Sequence, residues 1–206
     1  MPPRVSVLLP VFNAASTLDE TLTSLFAQTL QDFEIVAVND GSDDGSDGVL
    51  QTWSSRDSRL RVASGPHQGL IPTLNSGLEL CRAPLVARMD ADDIAHPERL
   101  EKQSRQFAER PGPSVVGSLV ETIPREEVRE GLLVYERWLN ALVDHEDIVR
   151  EIFIESPIAH PTAMVRRDEL LELDGYRECG WPEDYDLWLR YYLRGARFAK
   201  VNEVLL

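Results

Sequence analysis

Three aspartates, Asp90, Asp92 and Asp93, stand directly behind an apolar run in the stretch LVARMDADDIAHPERLEKQ, residues 85–103. Oxygen ligands at this density suit a hard divalent cation. Magnesium or manganese takes one or two protein carboxylates and fills its other positions with waters and substrate phosphates. If the backbone stays extended past Met89, the two-residue strand period puts Arg88, Asp90 and Asp92 on one side. Asp93 then points elsewhere or caps the helix that Pro97 opens. Asp92 is the expected main metal ligand, assisted by Asp90 or Asp93. The same run also fits a solvated turn whose charges complement the following helix dipole. A calcium loop fits poorly. Counted from Asp90, Ile94 and Ala95 fall where an oxygen ligand and glycine belong; counted from Asp40, Gln51 replaces the bidentate glutamate.

The elements that must position these groups follow from periodicity. RVSVLLPVF reads as a strand, and STLDETLTSLFAQTL as a helix capped by Ser16, with Leu18, Leu22, Leu25 and Phe26 at helical spacing. FEIVAVN, LRVAS and PLVARM are further strands; DGVLQTWSSR and PTLNSGLELC are helices between them, and PERLEKQSRQFAE is a helix with Pro97 at its first position. Strands alternating with helices predict an α/β fold with a mostly parallel sheet covered on both faces. Ligands of such sheets sit beyond the carboxyl ends of the strands, here PVFN, NDGS, SGPHQG and MDADD. There is no GxGxxG or GxxxxGK[ST], so a backbone phosphate cradle is not expected.

Composition narrows the partners. With 206 residues, 43% of them hydrophobic, the chain can bury the core of one domain. A formal net charge of −14 excludes nucleic acid or an anionic bilayer as an electrostatically driven partner. An anionic diphosphate would need a cation between it and the protein. No apolar run approaches the roughly 20 residues of a membrane-spanning helix, and the N-terminus lacks secretory signal features, so the expected compartment is the cytoplasm. Cys81 and Cys179 form no CxxC pair and are expected to be reduced, packed thiols.

The ordered set VSVLLPVFNAASTLDETLTSLFAQTLQDFEIVAVNDGSDDGS, GLIPTLNSGLELCRAPLVARMDADDIAHPERLEKQ and GWPEDYDLWLRYYLRG resembles glycosyltransferase family 2 over nearly the whole chain. The resemblance implies a single GT-A domain, with residues 1–119 binding a nucleotide sugar and 120–206 facing the acceptor. It implies a mostly inverting enzyme that uses a nucleoside-diphosphate sugar, a UDP-sugar as first guess, with Mn2+ or Mg2+. The acceptor would be a glycan or a lipid-linked hydroxyl in cell-surface synthesis, with peripheral membrane association left open. Carried onto this sequence, Pro10, Val11 and Phe12 line the nucleotide pocket and Asp40 meets the base. Asn75 and Arg88 lie near the donor. His160 lies near the diphosphate or acceptor, with Glu183 of the ED pair in the same region. Asn39 stands where the family often has aspartate. Relatives usually continue past this point with further helices, so a shortened chain is expected. Two other classes share features with it: a haloacid-dehalogenase-type phosphotransferase, which also sets DxD after a strand, and a non-catalytic carbohydrate- or calcium-binding module.

The remaining segment, EEVREGLLVYERWLNALVDHEDIVREIFIE, reads as two amphipathic helices split near Asp144, with Leu133, Tyr135, Trp138, Leu139 and Leu142 apolar. In WPEDYDLWLRYYLRG, Asp186, Arg190 and Arg194 form one polar stripe, the mark of a solvated face. Asp184 lies about 160° from Asp186 on the wheel, on the side of Leu187, Trp188 and Tyr191. It should point inward, where burial makes a carboxylate a better general base for an acceptor hydroxyl. The ED pair of the family selects the same residue as catalytic.

Overall fold

The computed structural model describes residues 3–108 and 112–206. The first half alternates as the periodicity predicts: β1 (Val5–Val11), α1 (Leu18–Phe26), β2 (Phe33–Asp40), α2 (Ser46–Arg56), β3 (Leu60–Gly65), α3 (Leu70–Leu80), β4 (Leu85–Arg88) and α4 (Arg99–Gln106). Then follow β5 (Val115–Leu119), α5 (Glu130–Ala141), α6 (His145–Glu151), β6 (Met164–Arg166), α7 (Arg167–Glu172), α8 (Glu183–Leu193) and β7 (Phe198–Val204). The strands form one sheet in the order β3-β2-β1-β4-β6-β5-β7. Only β6 runs antiparallel to its neighbours.

Strand parity sorts the core onto the two faces. Val5, Val7 and Leu9 of β1 pack with Ile35 and Ala37 of β2 against α1 and α2 through Leu18, Leu22, Leu25 and Leu50. Leu8, Val36 and Val38 face the other way, onto Leu74 and Leu78 of α3 and Trp188 and Tyr191 of α8. Burial on both faces is why these strands read as continuous apolar runs rather than as alternating ones. A Cβ at Gly77 would collide with Leu8, so glycine lets α3 lie directly on the sheet.

Several local expectations are corrected. Ser16 is not the cap of α1; that position is Thr17, whose hydroxyl bonds the carbonyls of Ala14 at 3.3 Å and Ala91 at 2.9 Å. The first helical N–H, that of Leu18, is already taken by the Ala14 carbonyl at 2.9 Å. Pro97 precedes α4 rather than opening it, because Arg99 N–H closes a turn onto His96 O and Glu98 is the non-helical flanking residue. Cys81 is buried, but Cys179 is only half-buried. The helix pair does split at Asp144, the flanking residue of α6. As expected, Leu139 and Leu142 are buried and Trp138 packs on the core, and polar groups add to the docking of α5. Glu136 accepts from Thr122 N–H and Arg125, Asn140 clamps both backbone groups of Val120, and Lys200 of β7 donates to the Leu139 carbonyl at 2.7 Å. Tyr135 is left exposed. Among the described residues, no helix is long and apolar enough to cross a membrane.

Candidate active site

Strand order reverses at β1, which has β2 on one side and β4 on the other, and in such sheets the crevice beyond the carboxyl ends is the ligand site. A pocket of about 420 Å³ occupies that crevice. Pro10, Val11, Phe12, Asp40, Asp90 and Asp92 line it, so six residues selected from the sequence converge there. His67, in the loop after β3, also lines it and is not singled out by the sequence reading.

One wall is held by hydrogen bonds between loops. Asp40 ends β2, and its buried carboxylate accepts from Gln68 N–H at 2.7 Å and Gly69 N–H at 2.9 Å. The His67 Nδ1 donates to the Asp40 backbone carbonyl at 3.2 Å and lies 2.9 Å from the Asp40 carboxylate, which orients the imidazole. Its ring then stacks on Phe12 with centroids 4.1 Å apart. Gly41, at φ +71°, passes so close to the His67 backbone that a Cβ would sit 2.6 Å from its nitrogen. The DGSDDGS loop serves mainly as a clamp: Ser42, Asp44 and Ser46 accept from the N–H groups of Asn13, Ala15 and Ala14. Asn39 also has a physical reason, since its amide donates to the Asp47 carboxylate at 3.2 Å, where an aspartate would repel.

The acidic loop reaches its geometry by a turn. β4 stops at Arg88, so the extended backbone expected past Met89 is not found. Asp90 and Asp92 nonetheless share the pocket; Asp92 is exposed and Asp90 is ion-paired with Arg88. Asp93 neither lines the pocket nor caps α4. Its Oδ2 is buried without a hydrogen-bond partner, and burial together with Asp90 and Asp92 pushes the carboxyl up to about 6. Arg88 and Arg99 beneath the loop oppose that shift. Among the described residues, no three His, Cys, Asp or Glu side chains gather as a metal-ligating cluster. An exposed Asp92 beside Asp90 fits the sparse protein ligation of a magnesium or manganese that substrate phosphates complete.

The second group of residues lies outside that pocket. His160 Nδ1 donates to Glu183 Oε1 at 3.1 Å, which lowers the glutamate, while burial and the Arg88 charge lower the histidine. The imidazole Nε2 is buried and unpartnered. Asp184, in the first turn of α8, is half-buried and accepts from Ser156 Oγ at 3.0 Å. The Tyr135 phenol, exposed at one side only, is pushed up by the partial burial of the other and by the neighbouring carboxylates of Glu155 and Asp184. So α5, the segment before β6 and the start of α8 meet around Asp184.

Two readings of α3 and α8 change. Asn75 does not reach the pocket; its amide brackets Tyr176, donating to its carbonyl and accepting from its N–H, both at 2.9 Å. Asp186 is not on a solvated face: its side chain is 15% exposed and pairs with Arg190 at 2.6 Å. Arg190 in turn donates to the carbonyls of Leu173 and Gly175, locking α8 to the end of α7. An i,i+4 charge pair looks the same in sequence whether it faces water or unpaired carbonyls.

The fold is of the GT-A type. Solved structures with that architecture include S. aureus TarS 1–349 in complex with UDP-GlcNAc, at TM-score 0.74 and 20% identity, covering 98% of this chain and 57% of TarS 1–349. Another is the mannosyltransferase PcManGT of Pyrobaculum calidifontis in complex with GDP-Man and Mn2+, at TM-score 0.77 and 20% identity, covering 99% and 56%. The sequence model described as glycosyl transferase family 2 matches residues 6–173, and the chain belongs to that family. Curated relatives include the amylovoran biosynthesis glycosyltransferase AmsE of Erwinia amylovora, 33% identical over 98% of this chain and 74% of AmsE. The O-antigen biosynthesis glycosyltransferase WbnJ of Escherichia coli is 31% identical over 98% and 78%. An uncharacterized glycosyltransferase of Haemophilus influenzae is 32% identical; the chain spans 59% of its length. Family membership removes the haloacid-dehalogenase alternative.

Proposed function

We propose that this chain transfers a sugar from a nucleoside-diphosphate donor to an acceptor hydroxyl, with inversion at the anomeric carbon. The observation that carries the reading is the pocket between the ends of β1, β2 and β4, with Asp40 at one wall and Asp90 and Asp92 at another. The base would lie against Pro10, Val11 and Phe12 and donate a ring N–H to Asp40, whose Oδ1 keeps a second lone pair. Uracil, thymine and guanine offer that N–H. UDP is our first choice, and the complexes of TarS with UDP-GlcNAc and of PcManGT with GDP-Man support a base of this kind. Asp92, assisted by Asp90, would hold the Mn2+ or Mg2+ that offsets diphosphate charge.

Asp184 would take the proton of the acceptor hydroxyl as it attacks, with Ser156 orienting the carboxylate. His160 and Glu183 would sit where the diphosphate meets the acceptor. The acceptor would be a cell-surface glycan or its lipid carrier at the cytoplasmic side of the membrane, in keeping with the amylovoran and O-antigen biosynthesis of AmsE and WbnJ. Calorimetry with UDP, GDP, dTDP, CDP and ADP in the presence of Mn2+, followed by release of nucleoside diphosphate from the matching nucleotide sugars, tests this. Tighter binding of CDP or ADP than of the other three removes the role of Asp40. A chain that binds but never releases diphosphate is a carbohydrate-binding module instead.

A further inference from the structure

Arg99 is 1% exposed and Gln103, one turn later on α4, is fully buried. Neither serves an apolar core. Arg99 Nη2 donates to the carbonyl of Arg88 at 2.7 Å and to that of Pro161 at 2.6 Å, and its Nε donates to Gln103 Oε1 at 3.1 Å. Gln103 Nε2 donates to the carbonyls of Thr162 at 2.7 Å and Val116 at 2.9 Å. Arg88 ends β4, one residue short of the acidic loop, and Pro161 and Thr162 directly follow His160. One helix face thus ties the donor-side loop to the acceptor-side turn.

A buried guanidinium is costly to desolvate, and an apolar side chain of equal volume would often be as stable or more so. The position therefore calls for something an apolar residue cannot supply. Burial pulls Arg99 down to about 10, so it stays charged at neutral pH, where its field acts on the carboxylates of Asp93 and Asp90. Its fork reaches carbonyls in two separate segments.

Building on the transfer reading above, we propose that Arg99, anchored by Gln103, is a positioning residue that holds the Asp90–Asp93 loop and the His160 turn in one register, so that donor and acceptor sides close on each other correctly. Hydrogen exchange on the full chain tests it in the wild type, R99M and Q103M. In the wild type, the amides of Met89 and Ala163 should open with rates within about threefold of each other, as members of one cooperative unit. Both should quicken together by about tenfold or more in each variant, with the amides of β2 unchanged. On whichever nucleotide sugar the wild type cleaves, kcat should fall by about 30-fold while the donor KM moves less than about threefold. Unequal opening in the wild type, quickening of only one segment, equal quickening in β2, or a raised KM at normal kcat overturns the proposal. If R99M fails to fold, Q103M and the wild-type comparison decide. If the wild type cleaves no nucleotide sugar, the transfer reading fails, while the paired exchange still judges the strut.

Discussion

Under the proposed function, Asp184 is the general base and Asp92 the metal ligand, and the two should fail in different ways. Asp184 touches Ser156 and lies outside the donor pocket. Asp184→Asn should therefore lower kcat by on the order of 10²-fold or more with little change in nucleotide affinity, as loss of a general base does. Steady-state kinetics with calorimetry checks the split; near-normal kcat, or a product with retained anomeric configuration, removes the assignment. Asp92 is exposed and has like-charged neighbours. Asp92→Ala should abolish metal-supported donor binding while changing stability by no more than about 0.5 kcal/mol, read from a denaturant midpoint. A variant that still gains affinity on adding Mn2+ moves the metal elsewhere.

At the scale of elements, α3 and α5 are set by polar groups inside the fold. Asn75 of α3 satisfies both backbone groups of Tyr176, so Asn75→Ala leaves a buried N–H and carbonyl without partners and should cost about 2 kcal/mol in urea unfolding. Lys200 pins α5 from β7, and burial pulls its ammonium down to about 7. The unfolded lysine keeps its proton to about 10.4. Between those values the unfolded chain binds more protons, so stability rises with pH through that window; below about 7 the full cost of burying the charge is present. Lys200→Met should stabilise the protein at pH 7 by on the order of 1–4 kcal/mol and remove that rise, since the Leu139 carbonyl still receives Leu142 N–H. Thermal melts of the two proteins from pH 6 to 10 compare the slopes. Parallel curves would show that Lys200 titrates normally.

For the whole molecule, net charge is the argument for the proposed metal bridge. A chain of net charge −14 with Asp90 and Asp92 on its pocket repels a diphosphate. Excess chelator should weaken UDP binding by about tenfold or more, and added salt should recover part of that loss by screening. Undiminished turnover in chelator contradicts the metal bridge. The two buried arginines beneath the loop, Arg88 and Arg99, explain how so much like charge is tolerated there. Their field is part of the fold and cannot be removed by chelation, so the apoprotein should keep its melting temperature within a few degrees.

Periodicity and motif order were enough to place the first four strands, their helices and the crescent of Pro10, Phe12, Asp40, Asp90 and Asp92, because buried parallel strands write continuous apolar runs and ligands gather at their carboxyl ends. Helical angle was not enough for α8, because Asp184 and Asp186 are both half-buried although they lie about 160° apart on the wheel. What the chain alone could not decide were contacts between residues far apart in it. Whether Asp186 and Arg190 face water depends on the carbonyls of Leu173 and Gly175, and the fate of Asn75 depends on Tyr176, 101 residues away. His67 joins the pocket only because Asp40 grips its loop. Asp93 leaves it because a turn replaces the expected strand, and Arg99 finds Pro161 only when β4 and the His160 turn are already side by side. Hydrogen bonds to a distant backbone have no local period, so only the tertiary structure assigns those side chains.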